Sequence, residues 1–263
     1  MFHGHLAAFL CLSTMSAFVP ADGLEGVTFA DSPGQVFVPL REAAQALGML
    51  VEWDEKEQKV VVGAKAYKES DFQKLYDGTK LISVKDLEGL GATVVKDEAK
   101  NVVTVTREVY TMEVVQGQKR VEVSINEQEL KAWQGSLLVM ETNISSGRSG
   151  HRTPQGKFTA GPAKSRMHYS RLYDNAPMPW SVQVHGDVFI HGYHSVPRRP
   201  ASHGCIRMPL GRKNAAKYFY DWVDLGTPVW IMEDFTEVTS KQGTSEKQAE
   251  LGTDSARRSK LPT

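Results

Sequence analysis

Between positions 27 and 107 the apolar residues fall into two runs of one design. The first reads Val38-Pro-Leu-Arg-Glu-Ala-Ala-Gln-Ala-Leu-Gly48, then Val51-Glu-Trp-Asp54, then Val60-Val-Val62. The second reads Ile82-Ser-Val-Lys-Asp-Leu-Glu-Gly-Leu-Gly91, then Val94-Val-Lys-Asp97, then Val102-Val-Thr-Val105. The offset is 44 residues at the start and 43 after one deletion. Each run predicts a short strand, a helix closed by Gly48 or Gly91, and a hairpin of β-branched residues turning at Asp54 or Asp97. A unit this small cannot cover its own apolar face, so the two copies are expected to pack together.

From Tyr110 the pattern changes to alternation. Val121, Val123 and Ile125 predict one face of a strand, with Glu122 and Ser124 between them. Leu137 to Met140 and Val188 to His191 read as further strands, and Gly147 to Gly156 as a loop. Asn214 to Val223 carries Ala215, Tyr218, Phe219 and Trp222 at helical spacing, Gly226 ends that element, and Val229 to Met232 is a last strand. Many strands and one clear helix predict a mainly β second half, preceded by a small α+β domain of two strand-helix-hairpin repeats.

The ends read differently. Leu6 to Val19 is an apolar stretch followed by Pro20-Ala21, and it is expected to be a signal peptide over 1–21, cleaved after Ala21. No Lys or Arg precedes Arg41, so the usual basic leader of such a segment is missing. Cys11 follows Leu10 rather than a small residue, which argues against a lipid anchor there. Residues 233–263 hold almost no large apolar side chain and are expected to be a disordered tail. The expected division is therefore 22–109 for the repeat domain and 110–232 for the β domain. No apolar run reaches the ~18 residues of a membrane span.

Charge adds one point. The chain has 31 basic and 31 acidic side chains, so no broad polyanion such as nucleic acid is expected as the partner of the whole molecule. The balance is uneven, however. Residues 24–109 hold 11 basic and 15 acidic groups, and residues 110–232 hold 15 and 9. A basic second half suits an anionic substrate through its local field.

The chemistry lies in that half. Without residues 1–21, Cys205 is the one remaining cysteine, so it cannot form an internal disulfide. It is then either an inert buried thiol or a reactive one. Its neighbours His203, Gly204 and Arg207 favour reactivity. A nearby imidazole or guanidinium lowers a thiol pKa, and glycine lets main-chain N–H groups approach a substrate. Six of the eight histidines lie between His151 and His203. His191 ends a strand fourteen positions before Cys205, across a loop that can bring the two together. His151, His168 and His194 are expected to be surface or satisfied core residues. The metal reading takes His191, His194, His203 and Cys205 as zinc ligands, but their spacing matches no common zinc pattern.

Two resemblances follow. "VPLREAAQALG" with "VEWD" is similar to the copper amine oxidase N-terminal-like repeat, over about residues 27–107. It does not imply copper, because no His or Cys lies between Cys11 and His151. The repeat is expected to be a wall-associated stalk or binding module, or a folding partner that positions the other half. "IHG" at Ile190 to Gly192 and "SHGCIRM" at Ser202 to Met208, with "TPQGKF" at Thr153 to Phe158, "MPW" at Met178 to Trp180 and "GTPVWI" at Gly226 to Ile231, resemble the L,D-transpeptidase catalytic domain (YkuD-like). That match covers about Arg120 to Met232 and implies a β-sandwich with a helix after the cysteine motif.

The resemblance implies peptidoglycan 3→3 cross-linking in cell wall biogenesis by an exported enzyme of the wall, periplasm or extracellular space. It implies Cys205 as nucleophile, His191 as general base, and the Gly192 carbonyl orienting His191. The N–H groups of His203, Gly204 and Cys205 would form an oxyanion hole. Arg207, Ser202, Tyr173, Met178, Trp180 and His185 would meet the stem peptides. Carbapenem-type β-lactams would acylate the cysteine, and no metal or organic cofactor is called for. An L,D-carboxypeptidase using water, or a non-catalytic wall-binding protein, are the alternatives.

Overall fold

The computed structural model describes residues 23–235. The expected signal peptide and the tail from residue 236 lie outside the described residues.

The two copies of the repeat fold alike. The first has the strand Phe37–Pro39, helix α1 (Leu40–Ala46), and the hairpin of Val51–Asp54 with Lys59–Val62. The second has the strand Lys80–Ser83, the helix Val84–Leu90, and the hairpin of Thr93–Asp97 with Val102–Arg107. The first helix is α because Ala43, Ala44 and Ala46 form helix well and bury without side-chain cost. The second, also seven residues long, has no alanine and carries Gly89, and it winds as a tighter 3-10 helix. Gly91 closes it in the left-handed region at φ 85°. Both hairpins turn on an aspartate that accepts main-chain N–H groups, Asp54 from Lys56 and Glu57, and Asp97 from Ala99 and Lys100.

The first strands of the two copies pair antiparallel, Val38 opposite Ile82. Val38, Leu40, Leu47 and Val62 of one copy share a core with Ile82, Val84, Leu87 and Val105 of the other. One expectation needs correction. The strand Tyr110–Val115 does not start the second half, because it pairs with Val102–Arg107 and with Leu24–Glu25 in the repeat domain's sheet. The change in packing falls between Val115 and Lys119, not at 109/110. The alternating pattern of Tyr110–Val115 looks the same whichever sheet it joins.

The second half is mainly β. One sheet holds, in spatial order, Leu137–Asn143, Glu129–Gln134, Lys119–Ser124, Pro228–Met232 and Gly156–Thr159. The other holds Lys164–Ser170, Ala176–His185, Val188–Tyr193 and Ile206–Pro209. Val121, Val123, Leu130 and Val229 of the first share a core with Val182, Ile190, Ile206 and Met208 of the second. Helix α2 (Ala215–Trp222) starts at Asn214, whose side chain accepts the Lys217 N–H, and buries Phe219 and Trp222 in that core. Gly192 has no room for a side chain, because a Cβ there would sit 2.3 Å from Leu210 Cδ2 and 3.1 Å from Ala216 Cβ. This close approach seats α2 on the Val188–Tyr193 strand.

The halves are packed together. Val27, Phe29, Phe37, Leu75 and Leu81 of the repeat domain belong to the second half's core. Phe29 meets Tyr218 edge to face at 5.9 Å, and the Tyr218 hydroxyl donates to the Lys74 carbonyl. The tail expectation also needs correction at its start. The Glu233 carbonyl accepts from the Asn126 N–H and the Ser124 hydroxyl, and Asp234 accepts from Asn126 Nδ2.

Candidate active site

Val188–Tyr193 and Ile206–Pro209 run parallel, with Ile190 opposite Ile206 and His191 opposite Arg207. Side chains alternate along a strand. Ile190, Gly192, Ile206 and Met208 face the core and α2, so Phe189, His191, Tyr193 and Arg207 project from the other face. There Arg207 stacks on Tyr193 at 3.9 Å, and His168 stacks on Phe189 at 4.8 Å. Cys205 directly precedes this strand.

His191 is 4% exposed and is the one fully buried histidine among the described residues. Its Nδ1 lies 2.9 Å from the Gly192 carbonyl. A carbonyl only accepts, so Nδ1 carries the proton and Nε2 is left with a lone pair. Burial pushes the imidazole pKa down to about 4; the Gly192 bond opposes this, and Arg207 and His168 add to it. The ring is therefore neutral over the ordinary pH range.

Cys205 is half-buried, and its thiol donates to the Asp187 carbonyl at 3.6 Å. Burial pushes the thiol pKa up. A main-chain bond at Phe189 and the Arg207 charge pull it down by less, and Asp187 adds to the rise. This corrects the expectation of a lowered thiol: the guanidinium acts in the expected direction, but desolvation outweighs it. Among the described residues no hydrogen bond joins Cys205 to His191. Both groups rest uncharged.

The loop before Cys205 is braced from within. Ser202 is buried; its Oγ accepts the Gly204 N–H at 3.1 Å and donates to the Cys205 carbonyl at 2.5 Å. The Thr153 hydroxyl donates to the Gly204 carbonyl and accepts the Gly147 N–H, both at 2.8 Å. Gly204 has φ 121°, a conformation that L side chains rarely adopt. Ser202 Oγ is thus engaged by main-chain groups of its own loop, and the Gly204 N–H, one of the expected oxyanion donors, donates to it.

His203 points outward into a cluster that sequence reasoning missed. Its Nε2 lies 2.7 Å from Arg148 Nη2, and its ring packs against His151 at 5.1 Å and Tyr173 at 4.5 Å. Guanidinium only donates, so Nε2 accepts. Burial, then Arg148 and His151, push its pKa below the usual histidine value. The Tyr173 hydroxyl donates to the His203 carbonyl at 3.4 Å. The one sequence signal for Arg148 and His151 was a Gly-rich basic loop, too common to single them out.

The other expected groove residues are not gathered here. Met178 is buried in its strand opposite His168. Trp180 packs edge-on against Tyr220 of α2, beneath Lys217. His185 is exposed and lies against Phe158 at 5.0 Å. Of the four expected to line the groove, Tyr173 reaches the cysteine loop. Arg207 also donates to the Ala201 carbonyl at 3.3 Å, and its buried Nε has no partner among the described residues. His194 is exposed. Among the described residues no group of three or more His, Cys, Asp or Glu side chains is placed to hold a metal ion.

Residues 118–231 match the family model of the L,D-transpeptidase catalytic domain (YkuD), and residues 27–73 match the copper amine oxidase N-terminal domain. The chain is similar to the solved structure of an L,D-transpeptidase from Stackebrandtia nassauensis, at 22% identity over 43% of this chain and 55% of that one, TM-score 0.40. It is similar to an L,D-transpeptidase from Xylanimonas cellulosilytica, at 30% identity over 44% and 61%, TM-score 0.40. A third is L,D-transpeptidase 3 from Mycobacterium tuberculosis in complex with a faropenem-derived adduct, at 16% identity over 80% and 94%, TM-score 0.39. The alignments span little more than half the length of the first two structures. No curated protein matches the chain.

Proposed function

We propose that the chain is an exported peptidoglycan L,D-transpeptidase with Cys205 as its nucleophile and His191 as its general base. The observation that carries this reading is the tautomer of His191. A buried, neutral imidazole with Nδ1–H held by a carbonyl keeps its basic Nε2 free, on the strand beside the one that follows Cys205. A carboxylate in that place would make the ring more basic; the Gly192 carbonyl orients it without adding a charge.

Thiol and imidazole both rest neutral, so proton transfer accompanies attack. Cys205 Sγ bonds to the carbonyl carbon of the third residue of a tetrapeptide stem, and the thiol proton passes to His191 Nε2. The oxyanion takes the main-chain N–H groups of His203 and Cys205 as donors. The C–N bond then breaks, the imidazolium proton goes to the leaving D-Ala amine, and a thioester remains. The side-chain amine of a second stem attacks the thioester and gives its proton to His191. The S–C bond breaks, the sulfur regains the proton, and a 3→3 link is formed. Arg207, whose guanidinium lies over Tyr193, is the cation for a stem carboxylate, and Tyr173 covers the loop at His203.

Intact-mass spectrometry tests the reading. Wild type incubated with a carbapenem or with disaccharide-tetrapeptide should gain one adduct, and Cys205→Ala none. No adduct on wild type, or the same adduct on the variant, overturns it. Dimeric products mark the transpeptidase, and tripeptide alone would mark a carboxypeptidase.

A further inference from the structure

A cleft of about 430 Å³ opens in the first copy of the repeat, among the start of α1, the strand Val51–Asp54 and the turn before Lys80–Ser83. Trp53 lines it and is 47% exposed, and among the described residues no ring or cation lies over its indole. Arg41, Glu42 and Glu52 line the same cleft. Among the described residues none of the three has an ion pair or a side-chain hydrogen bond. Thr79 and Lys80 complete the polar wall, Lys80 being tied to Glu69 at 3.2 Å.

The second copy serves as an internal control. It keeps the core positions of the first, with Val62 and Val105 both fully buried, and it folds the same hairpin. At the position of Trp53 it has Lys96, and at that of Glu52 it has Val95. The fold therefore does not require an indole there, and the cleft needs another explanation for it. Exposed large aromatics beside unpaired hydrogen-bonding groups are a recognition surface.

We infer that this cleft binds a glycan strand, with one pyranose ring stacked on Trp53. The flat indole suits the C–H face of a sugar ring. Arg41 supplies fork-shaped donors and the two carboxylates supply acceptors, the set that hydroxyl and acetamido groups need. The near balance of charge gives no field to select an ion. A nucleotide, which would also stack, would bring its phosphates against Glu42 and Glu52. The inference goes beyond the reaction at Cys205 and does not depend on it.

The test uses the protein without residues 1–21 and two probes, the N-acetylglucosamine tetramer and peptidoglycan glycan strands stripped of their stem peptides. Titration calorimetry and tryptophan fluorescence should show saturable binding to both. Trp53→Ala should weaken it by about tenfold or more, and Trp53→Phe by only a few-fold. Glu52→Gln and Arg41→Ala should each weaken it as well. Cys205→Ala should bind like wild type, which separates this site from the other. An unchanged thermal midpoint for Trp53→Ala shows that the variant is folded. No saturable binding by wild type, equal binding by a folded Trp53→Ala, or binding that requires stem peptides overturns the inference.

Discussion

Burial sets the character of both groups proposed to react. It lowers the His191 pKa to about 4 and raises that of Cys205, so an ion pair at rest is disfavoured from both sides. Iodoacetamide should therefore modify Cys205 more slowly at pH 7 than it modifies a free thiol, with the rate rising only above pH 9. A fast reaction that titrates near pH 6 would show a resting thiolate–imidazolium pair and sink this account. Acylation by a carbapenem should hold its rate down to about pH 5 and fall as His191 protonates near 4. Ser202→Ala should slow acylation by freeing the Gly204 N–H and the Cys205 carbonyl, and should cost about 1–3 kcal/mol in stability; chemical denaturation and a stopped-flow assay read both. Cys205 and His191 were legible as candidates because few residue types do the proposed chemistry. Arg148 and His151 were not, because their roles come from contact with His203, about fifty positions further along the chain.

At the scale of elements, the repeat could be read before the structure because its spacing recurs and its aspartate turns recur with it. Its helices could not be typed. Seven residues in each copy wind differently, α in one and 3-10 in the other, for want of three alanines. The boundary at Val115 was hidden for a related reason: alternation shows that a strand exists and not which edge it joins. Glycines in tight places make sharper predictions. Gly192→Ala would drive a methyl group into Leu210 and Ala216, so α2 must shift or the strand must bow. The expected loss is about 1–3 kcal/mol, with acylation slowed through a displaced His191. An unchanged melting temperature would show that α2 gives way freely.

Across the whole molecule, the halves carry opposite net charge and share buried surface. Phe29→Ala should cost about 3–5 kcal/mol, since Phe29 is buried in the second half's core. Unfolding should stay a single transition; two separate transitions in calorimetry would mean the halves are independent. His191 also links stability to pH. Its folded pKa lies below the unfolded value of about 6.5. Its contribution is therefore fully present above that value and is lost as pH falls through about 4, an amount of about 3 kcal/mol. The slope of stability between pH 6.5 and 4 should shrink in His191→Gln, and an identical slope would count against the burial argument.

The pairing of Val38 with Ile82 sets equivalent positions of the two copies face to face, the arrangement of an isologous dimer within one chain. Its outer edges are taken, on one side by the strand Gln73–Lys74 and on the other by the bridge of Val27 to Phe37. A solenoid can lengthen because each unit leaves an edge for the next. This pair leaves none. A third copy added to the chain could not extend this central pair and would have to join the molecule elsewhere.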